Sequence, residues 1–479
     1  KKISESQVYH FLLGDPGMCS YSDKVIKSLE PDNIKKMVKW NKAFIAPVSD
    51  DDVVSLLRLS ATIDDLWEAQ IKLRKQINQK TRDALSIFGH TDDVEDSHTT
   101  IRQKDKIYSE LYKSEHMRNA GPYARLKFAM DYWCALWFWP IDKADLLPTR
   151  SEFLFDMSLI LEGTMSAVNV EAGQTSFFEA TEMEQLSMDI IDTYGTDTVV
   201  DIPRLRKENP RLDLAARIAE QNKFMHWELE FADLFAERGG FDLIIGNPPW
   251  IKMTWNEQSV LSDKHPMFAV KKLTAAETSR HRTDALKNRE TYALYFEEFE
   301  SMSGTQSFLN AGQNYYELKG QQTNLFKCFL PQAWRYCGSQ GVSAFVHPDG
   351  VFDDPNGGYL REIMYPKLRK HFQFTNELRL FEEVHHCTVY SLNVYSNEES
   401  SNIDIISNLF AAGTVDDCYN DDGKSPIPGI KTDDGEWETR GHKRRIVKVG
   451  KKELSLFATL FDGSDNWKQA RLPVIHAKD

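Results

Sequence analysis

Asn247-Pro248-Pro249-Trp250 is the stretch of this sequence whose residue types and order could do chemistry. Two consecutive prolines fix φ and donate no backbone hydrogen bond, so the turn is rigid and rich in acceptors. Asn247 adds a side-chain carbonyl oxygen, and Trp250 adds a large flat face. Those parts suit an exocyclic aromatic amine such as that of adenine, a poor nucleophile because its lone pair is delocalised into the ring. Two carbonyl acceptors, the Asn247 side chain and the Pro248 backbone, can hold both amine hydrogens, localise the lone pair and aim it at an electrophilic methyl group. The scheme uses no metal, and none is expected. A base outside its helix could rest on Trp250, where stacking contributes roughly 1–3 kcal/mol. That is comparable to the few kcal/mol it costs to unstack and unpair a nucleotide. The competing reading is a rigid turn with no chemistry.

The elements around the tetrapeptide favour the chemical reading. Phe241 to Gly246 is a short, nearly continuous apolar run that stops at Asn247, the pattern of a central strand buried on both faces. In open α/β sheets, ligands bind beyond the carboxyl ends of such strands. Residues 323–336 read as a helix, 341–346 as a second strand, 357–370 as a helix, and Val389 to Ser396 as an alternating strand near an edge. Strand, helix, strand, helix, strand predicts an α/β fold with a doubly wound, mainly parallel, Rossmann-like sheet.

Upstream, Leu56, Leu59, Ile63, Leu66, Leu73 and Ile77 recur at helical spacing, with Gln70 interrupting the stripe. A polar break at Thr91 to Asp96 and a second amphipathic stretch with Ile107, Leu111 and Met117 predict an antiparallel helical hairpin. The aromatic set from Tyr123 to Trp139 reads as core packing rather than a stacking platform. The division expected is a helical insertion over 1–150, a mixed connection over 151–222, a catalytic half over 223–400 and a connector over 401–479.

Hydrophobic residues make up 41% and charged residues 27% of the 479, the balance of a soluble globular protein. No apolar stretch is long enough for a membrane; the best candidate, Phe128 to Trp139, is short and carries Asp131. Six scattered cysteines without a CxxC pair argue against a zinc knuckle or disulfide framework and point to the cytoplasm. A net charge of −14 permits nucleic-acid binding only where positive charge is gathered locally. Arg204 to Lys207, Lys271 to Arg289 and the denser Arg440 to Lys452 are such clusters, and a solvated face is the alternative for each.

The run FDLIIGNPPW resembles motif IV of the amino-methylating, S-adenosylmethionine-dependent DNA methyltransferases. The preceding HWELEFADLFAERGG (His226 to Gly240) resembles the large adenine methylases of type IIG restriction–modification enzymes, whose relatives occur in phage-defence systems such as DISARM and BREX. The likeness continues through Thr323 to Phe326, the GVSAFVHPDG strand and turn, and Leu380 to His385, so it spans roughly residues 220–396. It implies methylation of adenine in double-stranded DNA within such a system, alongside other subunits. It also implies that Asn247 and Pro248, with Pro249 shaping the turn, bind the target amine and that Trp250 stacks on the flipped adenine. Phe381 matches the aromatic that packs on that base from its other side, although alone it reads equally as core. Glu230 or Asp233, just upstream of the strand, would contact S-adenosylmethionine.

The family's glycine-rich cofactor turn of the DPACGSG kind is not found before Asn247. The chain is therefore expected to be an internal piece, carrying an incomplete sheet and inactive alone. Two other readings stay open: a non-catalytic DNA-binding or assembly subunit on a methylase scaffold, and a protein or RNA amide methyltransferase.

Overall fold

The computed structural model describes residues 6–81, 100–113, 115–165, 198–271, 273–321, 324–400 and 402–478. The break expected at Thr91 to Asp96, Thr323, and part of the 151–222 connection lie outside them. The chain forms two compact units, Lys1–Ala236 with Trp255–Phe308, and Glu237–Thr254 with Leu309–Asp479.

The first unit is mainly helical. Its principal helices are α1 (Pro31–Phe44), α2 (Asp50–Thr81), α3 (Ile101–Lys113), α4 (Pro122–Ala135), α5 (Arg150–Leu161) and α6 (Pro210–Asn222). The apolar stripe of α2 is buried along its length, Gln70 included, and Leu73 and Ile77 pack against Ile107 and Met117. Tyr132, Trp137 and Trp139, on and just after α4, are fully buried. Tyr132 donates to the Asp156 carboxylate at 2.8 Å, and Arg211 pairs with that carboxylate at 3.2 Å. The buried charge is thereby compensated, as it must be to be tolerated. Among the described residues no helix is long and apolar enough to cross a membrane.

The second unit holds a six-stranded sheet with helices on both faces. Its strands are β1 (Phe241–Gly246), β2 (Cys337–Pro348), β3 (Leu368–Thr375), β4 (Val389–Ser396), β5 (Ile403–Leu409) and β6 (Val447–Val449), in the order β1-β2-β4-β3-β5-β6. β1, β2, β3 and β5 run one way, while β4 and β6 oppose them. The sheet is thus mostly parallel in strand direction. Only β1–β2 and β3–β5 are parallel neighbours, because the reversed β4 is inserted between β2 and β3.

One face is covered by α7 (Leu325–Tyr336), α8 (Gly358–Met364) and α9 (Lys451–Phe457), which bury Phe326, Leu330, Leu360 and Leu454 among Phe345, Tyr395 and Ile405. The opposite face buries Phe372, Phe374, Tyr390 and Leu409 with Cys418. Apolar burial at roughly 25 cal/mol per Å² makes these two layers the main support of the sheet.

Three expectations are corrected. First, β1 is an edge strand rather than a central one: among the described residues it pairs on one side only, with β2. Ile244 packs into the core, but Leu243 and Ile245 are 56% and 72% exposed. An apolar run signals a strand but does not say how many neighbours it has. Second, β4 lies inside the sheet, not near an edge. Its alternating polar residues Ser391 and Asn393 are fully buried because they serve a hydrogen-bond network rather than solvent. Third, the helix expected over 357–370 ends at Met364, and β3 begins at Leu368.

Candidate functional site

β1 and β2 run parallel; β1 ends at Gly246, opposite Phe345, while β2 continues to Pro348. β1 is entered through Gly240, whose φ is +146° and where a Cβ would stand 2.3 Å from the Tyr336 carbonyl oxygen. Only glycine allows the strand to begin so close to the end of α7. β1 stops where Pro248 and Pro249 withdraw two backbone donors, which ends the ladder. Asn247 to Trp250 therefore lies just beyond the carboxyl end of β1, beside the last residues of the parallel strand β2.

Within the tetrapeptide, Pro248 is buried, Asn247 and Pro249 are exposed, and Trp250 is half-buried. The Trp250 indole donates to the Val346 carbonyl of β2 at 3.3 Å. The chain after it is tied to the start of α7: Leu325 donates its backbone N–H to the Ile251 carbonyl at 3.0 Å, and Lys252 bridges Asn324. The rigid turn thus holds an exposed amide and an aromatic ring whose far edge is fastened to the sheet.

Phe381 reaches the same place from the loop between β3 and β4. Its ring centre is 5.5 Å from that of Trp250, and Tyr390 lies 5.7 Å from Trp250 and 5.0 Å from Phe381. Phe374 stacks on Tyr390 at 5.5 Å, extending the aromatic group into the core. The loop is pinned by the fully buried Asn376, whose Nδ2 donates to the carbonyls of Phe381 and Val384, both at 2.8 Å. Its Oδ1 accepts from the Phe381 N–H at 3.0 Å. Tyr390 and Asn376 are site-building residues that sequence reasoning missed. An asparagine a few residues before an aromatic is too common a pattern to single out.

On the other face of the same strands lies a second missed feature. The His371 Nδ1 and the Asn393 Oδ1 are 2.8 Å apart, and the Asn393 Nδ2 lies 3.0 Å from the His347 Nε2 and donates to Ser391 at 2.9 Å. The His347 Nε2 also meets the Tyr395 hydroxyl at 3.1 Å. Gln373 donates to Asp349 at 2.6 Å, and Asp349 faces His371 at 3.7 Å. Burial pulls the His347 pKa down to about 4, so the ring is neutral at neutral pH. His347 follows Val346, the residue that anchors Trp250, so the network stiffens the strand end from beneath.

The two carboxylates expected to contact a cofactor lie in the first unit. Glu230 accepts a 2.5 Å hydrogen bond from the Tyr123 hydroxyl. Asp233 is buried, pairs with Arg74 at 2.6 Å and accepts from Asn78. Both Asp233 oxygens are thus given to side chains of α2, and one Glu230 oxygen to a side chain of α4. The basic clusters are also partly committed. Arg204 and Arg206 pair with acidic neighbours. Arg440 pairs with Glu438 at 2.5 Å and holds that carboxyl down at about 2. Arg445 is fully buried and donates to the Ser407 and Asn408 carbonyls.

Residues 156–309, about a third of the chain, match the family described as Eco57I restriction-modification methylase. The matched stretch contains Asn247 to Trp250 and supports a methyltransferase role in restriction–modification. No curated protein matches the chain. Three solved structures are similar at low identity. DrdV bound to DNA is 10% identical, with 76% of this chain and 44% of that chain covered and a TM-score of 0.22. A modification subunit of a proposed type I restriction enzyme from Vibrio vulnificus YJ016 is 10% identical, with 93% and 96% covered and a TM-score of 0.22. A nuclease-deletion mutant of the type ISP restriction–modification enzyme LlaGI, in complex with a DNA substrate mimic, is 9% identical, with 80% and 37% covered and a TM-score of 0.17. The chain thus spans less than half of DrdV. TM-scores this low leave the functional reading to rest on the matched stretch and on the site residues.

Proposed function

We propose that this chain carries the base-binding site of a DNA methyltransferase that modifies the exocyclic amine of adenine in a restriction–modification or phage-defence system. The observation that carries the reading is the rigid Asn247-Pro248-Pro249 turn, with its exposed amide, just beyond the carboxyl end of β1 and beside the end of β2. Asn247 Oδ1 and the Pro248 carbonyl accept the two amine hydrogens, which concentrates the nitrogen lone pair on the side away from them. Trp250, fastened to Val346, offers its face to the flipped base. The prolines keep both acceptors in place before the base arrives, so little reorganisation is needed during the reaction.

The donor in this proposal is S-adenosylmethionine, which supplies an electrophilic methyl group when bound. Asp233, with both oxygens engaged, does not fit it as placed. Double-stranded DNA is the proposed substrate, with other subunits of the system as partners.

Incubation of the chain, alone and with the other subunits of its system, with radiolabelled S-adenosylmethionine and adenine-containing duplex DNA tests the reading. Label recovered as N6-methyladenine, and lost in Asn247→Ala, supports it. Label on cytosine, on protein or on RNA, or activity indifferent to Asn247→Ala, overturns it.

A further inference from the structure

We propose that His385, His386 and Cys387 bind one zinc-class divalent ion, with Glu377 fixing the tautomer of His386, and that this ion fastens the loop carrying Phe381. Among the described residues, this is the group of histidine, cysteine and acidic side chains whose ligand atoms all lie within 4.8 Å of one another. All three residues are exposed, so an ion could reach them without a change of fold.

The Cys387 Sγ lies 3.4 Å from the His386 Nδ1 and 3.6 Å from its Nε2, so the sulfur rests over the imidazole ring. Zinc binds thiolate at about 2.3 Å and imidazole at about 2.0–2.1 Å, and rotation of these exposed side chains would bring both onto one ion. The Glu377 Oε2 lies 3.1 Å from the His386 Nδ1. A carboxylate there accepts a hydrogen bond from Nδ1–H, which keeps the proton on that nitrogen and leaves Nε2 free for a metal, the usual outer support of a ligating histidine. The His385 and His386 rings lie side by side, with centres 4.6 Å apart and planes 32° from parallel. The His385 Nδ1 accepts a 3.2 Å hydrogen bond from the Cys387 N–H. Ligation by His385 through either nitrogen releases that contact. One thiolate and two imidazoles favour zinc over calcium or magnesium, and three protein ligands leave a fourth position to water.

The place in the fold gives the ion a task. Glu377 sits in the turn where the loop leaves β3, and His385 to Cys387 sit where it returns to β4. An ion on His385 to Cys387 is linked to the departing end through the Glu377–His386 hydrogen bond, which adds to the tie that Asn376 makes from inside. Phe381, at the middle of the loop, would be held more firmly against Trp250. Metal binding can be measured without any transferase assay, so it stands or falls apart from the function proposed above.

The experiment strips the full chain with a chelator, then titrates it with zinc and, as a spectroscopic probe, with cobalt(II). The expected result is one zinc site and a thiolate-to-cobalt charge-transfer band. Cys387 is the exposed cysteine of the six, so Cys387→Ser should remove that band. His385→Asn combined with His386→Asn should weaken zinc at least about 100-fold, and Glu377→Gln about 10- to 100-fold. These are surface substitutions, and an unchanged far-ultraviolet circular dichroism spectrum would establish that the variants fold. Absence of the thiolate band in the stripped chain, its survival in Cys387→Ser, or equal zinc affinity in the double histidine variant overturns the proposal.

Discussion

The rings of Trp250 and Phe381 meet edge to face, with centres 5.5 Å apart and planes at 61°. A base sandwiched between two parallel rings needs roughly 7 Å between their planes, twice the carbon–carbon contact distance. As they stand, the two rings support each other rather than flank an open slot. Trp250 also packs against Tyr390 and both cores, so a base held between the two rings would have to part them.

Asn247→Ala is expected to leave the fold intact, because Asn247 is exposed. It removes an acceptor that matters most as the amine becomes nucleophilic, so methyl transfer should slow on the order of 10²–10³-fold. Single-turnover rates at saturating DNA would measure it. A normal rate would mean that the amine is held by other groups.

Trp250→Ala should weaken the complex with a paired adenine more than with a mismatched one, since a mismatched base costs less to extrude. The loss of stacking should be roughly 1–3 kcal/mol, about a 5- to 150-fold change in affinity. Fluorescence anisotropy with the two duplexes separates base holding from damage to the core. An equal loss on both would assign Trp250 to packing alone.

The strand and turn around Asn247 could be read from the sequence because β-branched residues followed by two prolines leave few alternatives. The edge position of β1 could not, since Leu243 and Ile245 look the same whether a neighbouring strand covers them or not. β4 was misplaced for the opposite reason: Ser391 and Asn393 look solvent-facing, yet they are buried beside His347 and His371. β3 was missed because Arg369 and Lys370 break its apolar pattern. Lys370 reaches Asp404 and Tyr419 instead of facing bulk water. Polar partners brought together by the fold hide strands that apolar patterning would otherwise reveal.

Asn376→Ala should loosen the Phe381 loop. The substitution strands the Phe381 N–H and removes the donor to two carbonyls in a place closed to water. Leaving buried groups unsatisfied costs about 1–3 kcal/mol. Urea denaturation should show that loss, and hydrogen exchange should quicken over residues 377–388. Stability and exchange equal to the unsubstituted chain would show that the loop is held by other contacts.

His347 makes the second unit sensitive to acid. Its pKa is about 4 when folded because burial disfavours the charged ring, against about 6.5 when the chain is unfolded. Between those values the unfolded chain binds the proton more tightly, so stability is lost as pH falls from 6.5 towards 4 and is fully present above 6.5. The loss approaches about 3 kcal/mol at the bottom of that window. His347→Gln keeps a hydrogen-bonding side chain towards Tyr395 and Asn393 but cannot take the proton. The variant should therefore be the less stable protein at pH 7, and the gap should narrow or reverse at pH 4.5. Denaturant titrations of both proteins at the two pH values measure it. A gap that stays constant would mean that His347 takes up its proton without disturbing the fold.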